Sequence, residues 1–425
     1  MNAAYDAYCR YDENKMRQLL NDVTEQDVLA LSDTLQYCFY YCNAGLMSSD
    51  DKADKALLLD YINKAIHLRE KSLGIRHSEY LELLWAKGSE LEDSDPAAAT
   101  KVYQRGIIVG QGIVNKGNDA INHWFGQILA NLGNLYQKRG YIDQAISLYR
   151  EGFSLLSQGY IKDETPDAWI ALFSLQLLYY DRQNYQEAIK VNDELLNFFA
   201  EHDGRPSRDY ADILYFKGNC LNKSGQVNAA IDCYNEGIEM LRGINQYDEK
   251  LESLYSNLYM TYVANYRLAD AESLIIQAKD FLVHFGKPNN ICNYYFSGAQ
   301  TLLDAGKYED AERLAMRCEP FIEELSPLAR TKIFNTLAVS RLKQNNGKDA
   351  LQPLTKIDEL YHQCNATESI EYAINLHNLG RANMLIGNTA KAIELLTTSK
   401  TLQIKLAGDV SEQTRKYLTE LGVTE

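Results

Sequence analysis

Eight alanines recur along the chain at a nearly constant distance: Ala99, Ala145, Ala188, Ala230, Ala271, Ala311, Ala350 and Ala392, in steps of 39 to 46 residues. A period of this length means that one supersecondary unit is copied, each copy burying its apolar face on its neighbours. Other residues keep step with the alanines. Twelve positions before them stand Gly133, Gly218, Ala299, Ala338 and Gly380; thirteen before stand Leu132, Leu175, Leu258, Leu337 and Leu379. Five before stand Gly140, Gly225, Gly306, Asn345 and Gly387, residue types that tolerate the left-handed backbone ending a helix. Pro166, Pro206, Pro288 and Pro327 lie 22 to 24 residues before an alanine and suit the first turn of a helix, where the missing N–H is not needed.

Each copy therefore reads as helix, tight turn, helix and a longer link. Leu132, Leu135 and Tyr136 form one apolar stripe, and Ala145, Ile146, Tyr149 and Phe153 form the facing one. A glycine inside a helix costs about 1 kcal/mol against alanine, so Gly133 marks a place where helices cross closely. The expected contact is Gly133 against Ala145.

The stretches "ANLGNLYQKRGYIDQAISLYREG" (130–152) and "ILYFKGNCLNKSGQVNAAIDCYNEG" (213–237) resemble the tetratricopeptide repeat family. The segment "AIHLREKSLGIRHSEY" (65–80), with a fainter trace in "TLQIKLAGD" (401–409), resembles the long-period repeats of kinesin light chains and bacterial relatives. The resemblance spans roughly residues 80–408. It implies an all-α fold, an α-solenoid in which antiparallel helix pairs form a right-handed superhelix. Residues 1–80 are expected to be an N-terminal helical cap of degraded repeats, 81–408 a solenoid of about eight repeats, and 409–425 a capping helix opened by Asp409 and Glu412. Some copies depart from the pattern. Tyr259 and Gln176 occupy small-residue positions, the copy at Ala188 lacks a turn glycine, the copy at Ala99 needs a shortened first helix, and Pro353 is awkward inside a helix.

Composition narrows the function. The chain has 425 residues and a formal net charge of −15, which repels phosphate backbones and anionic membranes and leaves a neutral or basic protein or peptide segment as the natural partner. There is no apolar run long enough to span a bilayer and no signal-peptide pattern at the start, so a cytoplasmic location is expected. The eight cysteines contain no C-x-x-C pair and read as small buried hydrophobes, Cys38 and Cys42 included. Catalytic motifs are missing, and in "GIIVGQGIVNKG" (106–117) no strand precedes Gly110 and Gly112 and the third glycine of a dinucleotide loop is lacking. Neither an enzyme nor a cofactor nor a metal site is expected.

What remains is a surface. The resemblance implies that the first helices line a concave wall, presenting residues 8, 11, 14 and 15 before each alanine. That wall carries Asn131, Asn134, Asn219, Asn222, Asn257, Asn335 and Asn378, with Gln137, Gln300 and His377, and the rings of Phe173, Tyr180, Tyr215 and Phe296. Amides can clamp an extended peptide, because each offers a donor and an acceptor to backbone groups. The plainer reading is a solvated helix face. Chaperone-binding relatives hold a terminal carboxylate with Asn, Lys and Arg. Here Asp212, Tyr215, Asn293 and Ser297 stand where the cations belong, which argues against that activity. Two functions fit: a non-catalytic scaffold taking a protein or peptide in its groove, or a sensory module of a bacterial regulatory system that binds a short peptide and changes shape.

Overall fold

The computed structural model describes residues 1–10, 12–48, 54–114, 119–159, 169–202, 207–285 and 289–423. Among these every regular element is helical. The chain divides into two compact units, Met1–Arg205 and Pro206–Glu425.

The first unit opens with α1 (Asn2–Tyr8), α2 (Glu13–Leu20) and α3 (Glu25–Val28). Four helix pairs follow: α4 (Asp33–Ser48) with α5 (Lys55–Leu68), α6 (Ser78–Leu91) with α7 (Pro96–Ile113), α8 (Asp119–Lys138) with α9 (Ile142–Leu156), and α10 (Ile170–Asp181) with α11 (Tyr185–His202). The second unit has five: α12 (Arg208–Lys223) with α13 (Val227–Ile244), α14 (Leu251–Ala264) with α15 (Leu268–Phe285), α16 (Asn289–Asp304) with α17 (Tyr308–Met316), α18 (Pro327–Lys343) with α19 (Gly347–Gln363), and α20 (Ile370–Leu385) with α21 (Thr389–Ala407). A last helix, α22 (Glu412–Glu420), packs on α21. Within each unit successive pairs stack on one another, an all-α solenoid arrangement.

All eight alanines are fully buried, and each is the fourth residue of the second helix of its pair. The turn positions adopt positive φ as expected: Gly140 (81°), Gly225 (82°), Gly306 (75°), Asn345 (59°) and Gly387 (81°). Gln183 (59°) and Tyr266 (58°) take the same conformation without glycine. The turn is thus fixed by the stacking of the pair, and these two residues bear a strain that glycine avoids. Pro327 is the first residue of α18, behind the N-cap Ser326; Pro166, Pro206 and Pro288 lie outside the described residues.

Several expectations are corrected. A Cβ on Gly133 would meet the ring of Tyr149 at 2.8 Å, so the close contact is with the residue one turn after Ala145. Gly218 meets Tyr234 at 2.5 Å in the same way, and Gly380 meets Leu396 at 2.6 Å. The small residue makes room for a large side chain, and the alanine fits beside it. Where Tyr259 replaces the small residue, its hydroxyl is accommodated at Gly298 of the next first helix (2.6 Å from an added Cβ), and Ile275 takes the place of the facing tyrosine. The pair α6/α7 is one residue out of register, and Gly88 faces Tyr103.

Residues 1–80 contain a pair of the common type, α4/α5, with the buried Leu58 as the fourth residue of its second helix. Pro353 does sit inside α19. Proline leaves the carbonyl four residues earlier without its helical donor, and Arg341 Nη1 donates to that Asp349 oxygen at 2.9 Å. The cap of α22 is Ser411, which accepts from the Thr414 amide, not Asp409. Cys9 and Cys364 are exposed, and the other six cysteines are buried. Of the glycine-rich run at 106–117, residues 106–113 belong to α7; Asn115 and its neighbours to 118 lie outside the described residues.

Candidate functional site

The amides expected to line a wall are largely tied to one another. In the second unit the ties run between successive first helices. Asn257 Nδ2 donates to Asn219 Oδ1 at 2.6 Å, and Asn222 Nδ2 to Thr261 Oγ1 at 3.0 Å, both joining α12 to α14. Gln300 Nε2 donates to Thr336 Oγ1 at 2.9 Å, joining α16 to α18, and Asn378 Nδ2 to Asn335 Oδ1 at 3.4 Å, joining α18 to α20. Within a pair, the Tyr234 hydroxyl donates to Asn219 Oδ1 at 2.8 Å. In the first unit the Tyr149 hydroxyl lies 2.7 Å from both Asn134 Oδ1 and Gln137 Oε1. Asn131 Nδ2 donates to Glu92 Oε1 and the Tyr103 hydroxyl, each at 3.1 Å. These amides satisfy partly buried groups and fix the register of neighbouring pairs, which uses up capacity that a peptide clamp would need.

His377 and Asn378 are not open to a ligand: each is 8% exposed. His377 Nδ1 lies 2.8 Å from Thr414 Oγ1 and its ring stacks on Tyr417, so α22 covers it. Burial, and secondarily the Arg381 guanidinium, holds its pKa down to about 4. The rings are half-buried. Phe173 packs edge-on against Trp169 (5.3 Å), Tyr180 against Tyr185 (5.6 Å) and Tyr215 against Phe216 (5.2 Å), while Phe296 packs on the cluster of Cys292, Cys318, Leu325 and Ile333.

Tyr215 and Asn257 share an open hollow over α12, α14 and α16 with Glu249, Glu252, Ser253, Ser256, Met260, Asn293 and Ser297. No Lys or Arg lines it. Outside its rim, Lys250 pairs with Asp212, whose carboxyl burial holds above its usual range, and Arg208 Nη2 lies 3.8 Å from Glu249 Oε1. Glu252 and Asn293 were not among the expected wall residues. Asn293 lies one helical turn before Phe296 on α16, so extending that stripe by three residues would have found it, whereas Glu252 stands five residues before Asn257 and off its stripe. Among the described residues no helix is long and apolar enough to cross a membrane.

Two models of the tetratricopeptide repeat family match the chain, one over residues 131–206 and one over 211–240. No curated protein matches. Solved structures similar to the chain include a tetratricopeptide repeat protein from Parabacteroides merdae (18% identity, 71% of this chain and 98% of that one, TM-score 0.38). BtubC (BKLC) from P. vanneervenii is 17% identical over 62% of this chain and 92% of its own, with a TM-score of 0.39. Aspartyl phosphate phosphatase F from Bacillus subtilis is 12% identical over 96% and 95%, with a TM-score of 0.39. These likenesses are too loose to carry a functional reading. The matched segments hold three of the buried alanines (Ala145, Ala188 and Ala230), the left-handed turns at Gly140, Gln183 and Gly225, and the Gly133–Tyr149 and Gly218–Tyr234 contacts, and the chain therefore carries tetratricopeptide repeats, the units of protein-interaction scaffolds.

Proposed function

We propose that the protein is a non-catalytic scaffold whose second unit holds an extended, basic protein segment across α12, α14 and α16. The observation that carries this reading is the hollow there, in which Glu249 and Glu252 stand beside Tyr215, Asn257 and Asn293 with no lining cation. Asn293 is exposed and offers an amide to a peptide backbone. The Tyr215 ring gives an apolar or cationic side chain a face to rest on. The formal charge of −15 adds long-range attraction for a basic segment.

The test is a fluorescence anisotropy titration of the intact chain with labelled twelve-residue peptides of basic, neutral and acidic composition. The basic set binds, its affinity falls as salt rises, and Glu252→Lys weakens it about tenfold with the thermal midpoint unchanged. Equal binding of acidic and basic peptides, or indifference to Glu252→Lys, sinks the reading. Asn219→Ala is the contrasting variant: it removes an inter-helix tie and lowers stability before it touches affinity.

A further inference from the structure

Helix α6 carries two carboxylates one turn apart, and the molecule treats them differently. Glu79 accepts the hydroxyls of Tyr5 and Tyr37 and pairs with the Arg69 guanidinium. Glu82 accepts the hydroxyls of Tyr8 and Tyr41 in the same manner. Among the described residues, however, no cation is paired with it. Burial raises its pKa, and the two tyrosine hydrogen bonds only partly oppose that. A buried carboxylate without a counter-charge is costly.

Glu82 borders a cavity of about 270 Å³ in the first unit. Aromatic rings form much of the wall: Tyr8 and Tyr41 meet edge-on at 4.9 Å, and Trp85 and Trp124 lie 5.1 Å apart. Met16, Ile62 and Leu83 supply apolar surface, and Asp12 and Glu13 add two further carboxylates, Glu13 standing 3.8 Å from Arg17 Nη2. No Lys, Arg or His lines the space. The Trp85 indole N–H is buried without a hydrogen-bond partner.

We infer that this cavity binds an organic ammonium group on a short apolar stem, with the charge between Glu82 and the rings. Aromatic faces attract cations most strongly where water is excluded, and Glu82 then gains the counter-charge that Arg69 gives Glu79. The ammonium can belong to a free small-molecule ammonium compound or to a lysine side chain of a peptide; both present the same chemistry.

The intact chain is titrated with choline and with its uncharged isostere 3,3-dimethylbutan-1-ol, followed by tryptophan fluorescence and calorimetry. Choline gives a saturable response at least about tenfold tighter than the alcohol, and Glu82→Gln weakens it about tenfold. Trp124→Leu, at a partly exposed ring, weakens choline binding as well and stands in if the Glu82 variant fails to fold. A parallel titration with acetyl-Gly-Lys-Gly-amide distinguishes the sources: tighter binding of the peptide assigns the site to a lysine side chain, tighter binding of choline to a free small-molecule ammonium compound. No saturable response to either cation, or equal binding of choline and the alcohol, overturns the inference.

Discussion

Gly88→Ala is the sharpest test of how these helix pairs are held. A Cβ there would lie 2.2, 2.5 and 2.7 Å from three atoms of the Tyr103 ring. That ring is fully buried, and its hydroxyl is pinned, donating to Glu92 Oε1 at 2.7 Å and accepting from Asn131 Nδ2 at 3.1 Å. It cannot swing aside without breaking both bonds. Overpacking of this kind costs about 1–3 kcal/mol, against about 1 kcal/mol gained when alanine replaces glycine in a helix. With all three contacts well inside the closest approach carbon atoms tolerate, a net loss of about 1–2 kcal/mol is expected. Gly112 supplies the control: it lies near the end of the adjoining helix α7, and an added Cβ meets nothing within 4 Å. Gly112→Ala should be neutral or stabilising by up to about 1 kcal/mol. Urea unfolding followed by circular dichroism gives the magnitudes, and hydrogen exchange should place the Gly88→Ala loss in α6, α7 and α8. Tyr103→Leu removes the pinned ring, so the alanine should cost less in that background, with a coupling of about 1 kcal/mol. A Gly88→Ala protein as stable as the parent, or a coupling of zero, would refute the reasoning.

Three further outcomes are expected. Gln176 is fully buried with neither amide atom hydrogen-bonded, so Gln176→Leu should raise the denaturation midpoint by an equivalent of about 1–3 kcal/mol; a lower midpoint would show that the amide has a role its surroundings do not reveal. Arg341→Met strips the donor from the Asp349 carbonyl that Pro353 leaves open and breaks the ion pair with Glu312, and should cost about 1–3 kcal/mol, with faster hydrogen exchange at the start of α19. His377 is held neutral, its folded pKa depressed to about 4 from 6.5. Protons therefore favour the open state, and stability is intact above pH 6.5 and drains as pH falls towards 4. At pH 5 the docking of α22 should weaken by roughly 2 kcal/mol, seen as faster exchange of α22 amides than at pH 7; unchanged protection would contradict this.

Parts of the architecture were open to reading because they depend on residues close in the chain. The alanine spacing, the glycines five positions earlier and Pro327 each mark a local feature, and each took its expected place. Gly88 was missed because it stands eleven residues before Ala99, not twelve, although the glycine–tyrosine spacing to Tyr103 nearly matches that of Gly133 and Tyr149. The wall residues were harder. Asn219 and Asn257 were both expected on the wall, but nothing near either one announces their mutual hydrogen bond, which joins two helices at positions 38 residues apart in the chain. Arg341, which answers the Pro353 carbonyl, comes from the preceding helix, so nothing near the proline announces it.

The sequence by itself determined the unit and its period, because a helix, a left-handed turn and a second helix are encoded within a few residues of each other. Only the tertiary structure decided that Gly133 receives Tyr149, that the amides bind one another across successive first helices, that the chain gathers into two compact units, and that Glu82 faces an aromatic cavity while Glu79 meets an arginine. Those outcomes rest on how stacked helices register against each other. Registration is set by the summed fit of many side chains far apart in sequence, and no local pattern carries it.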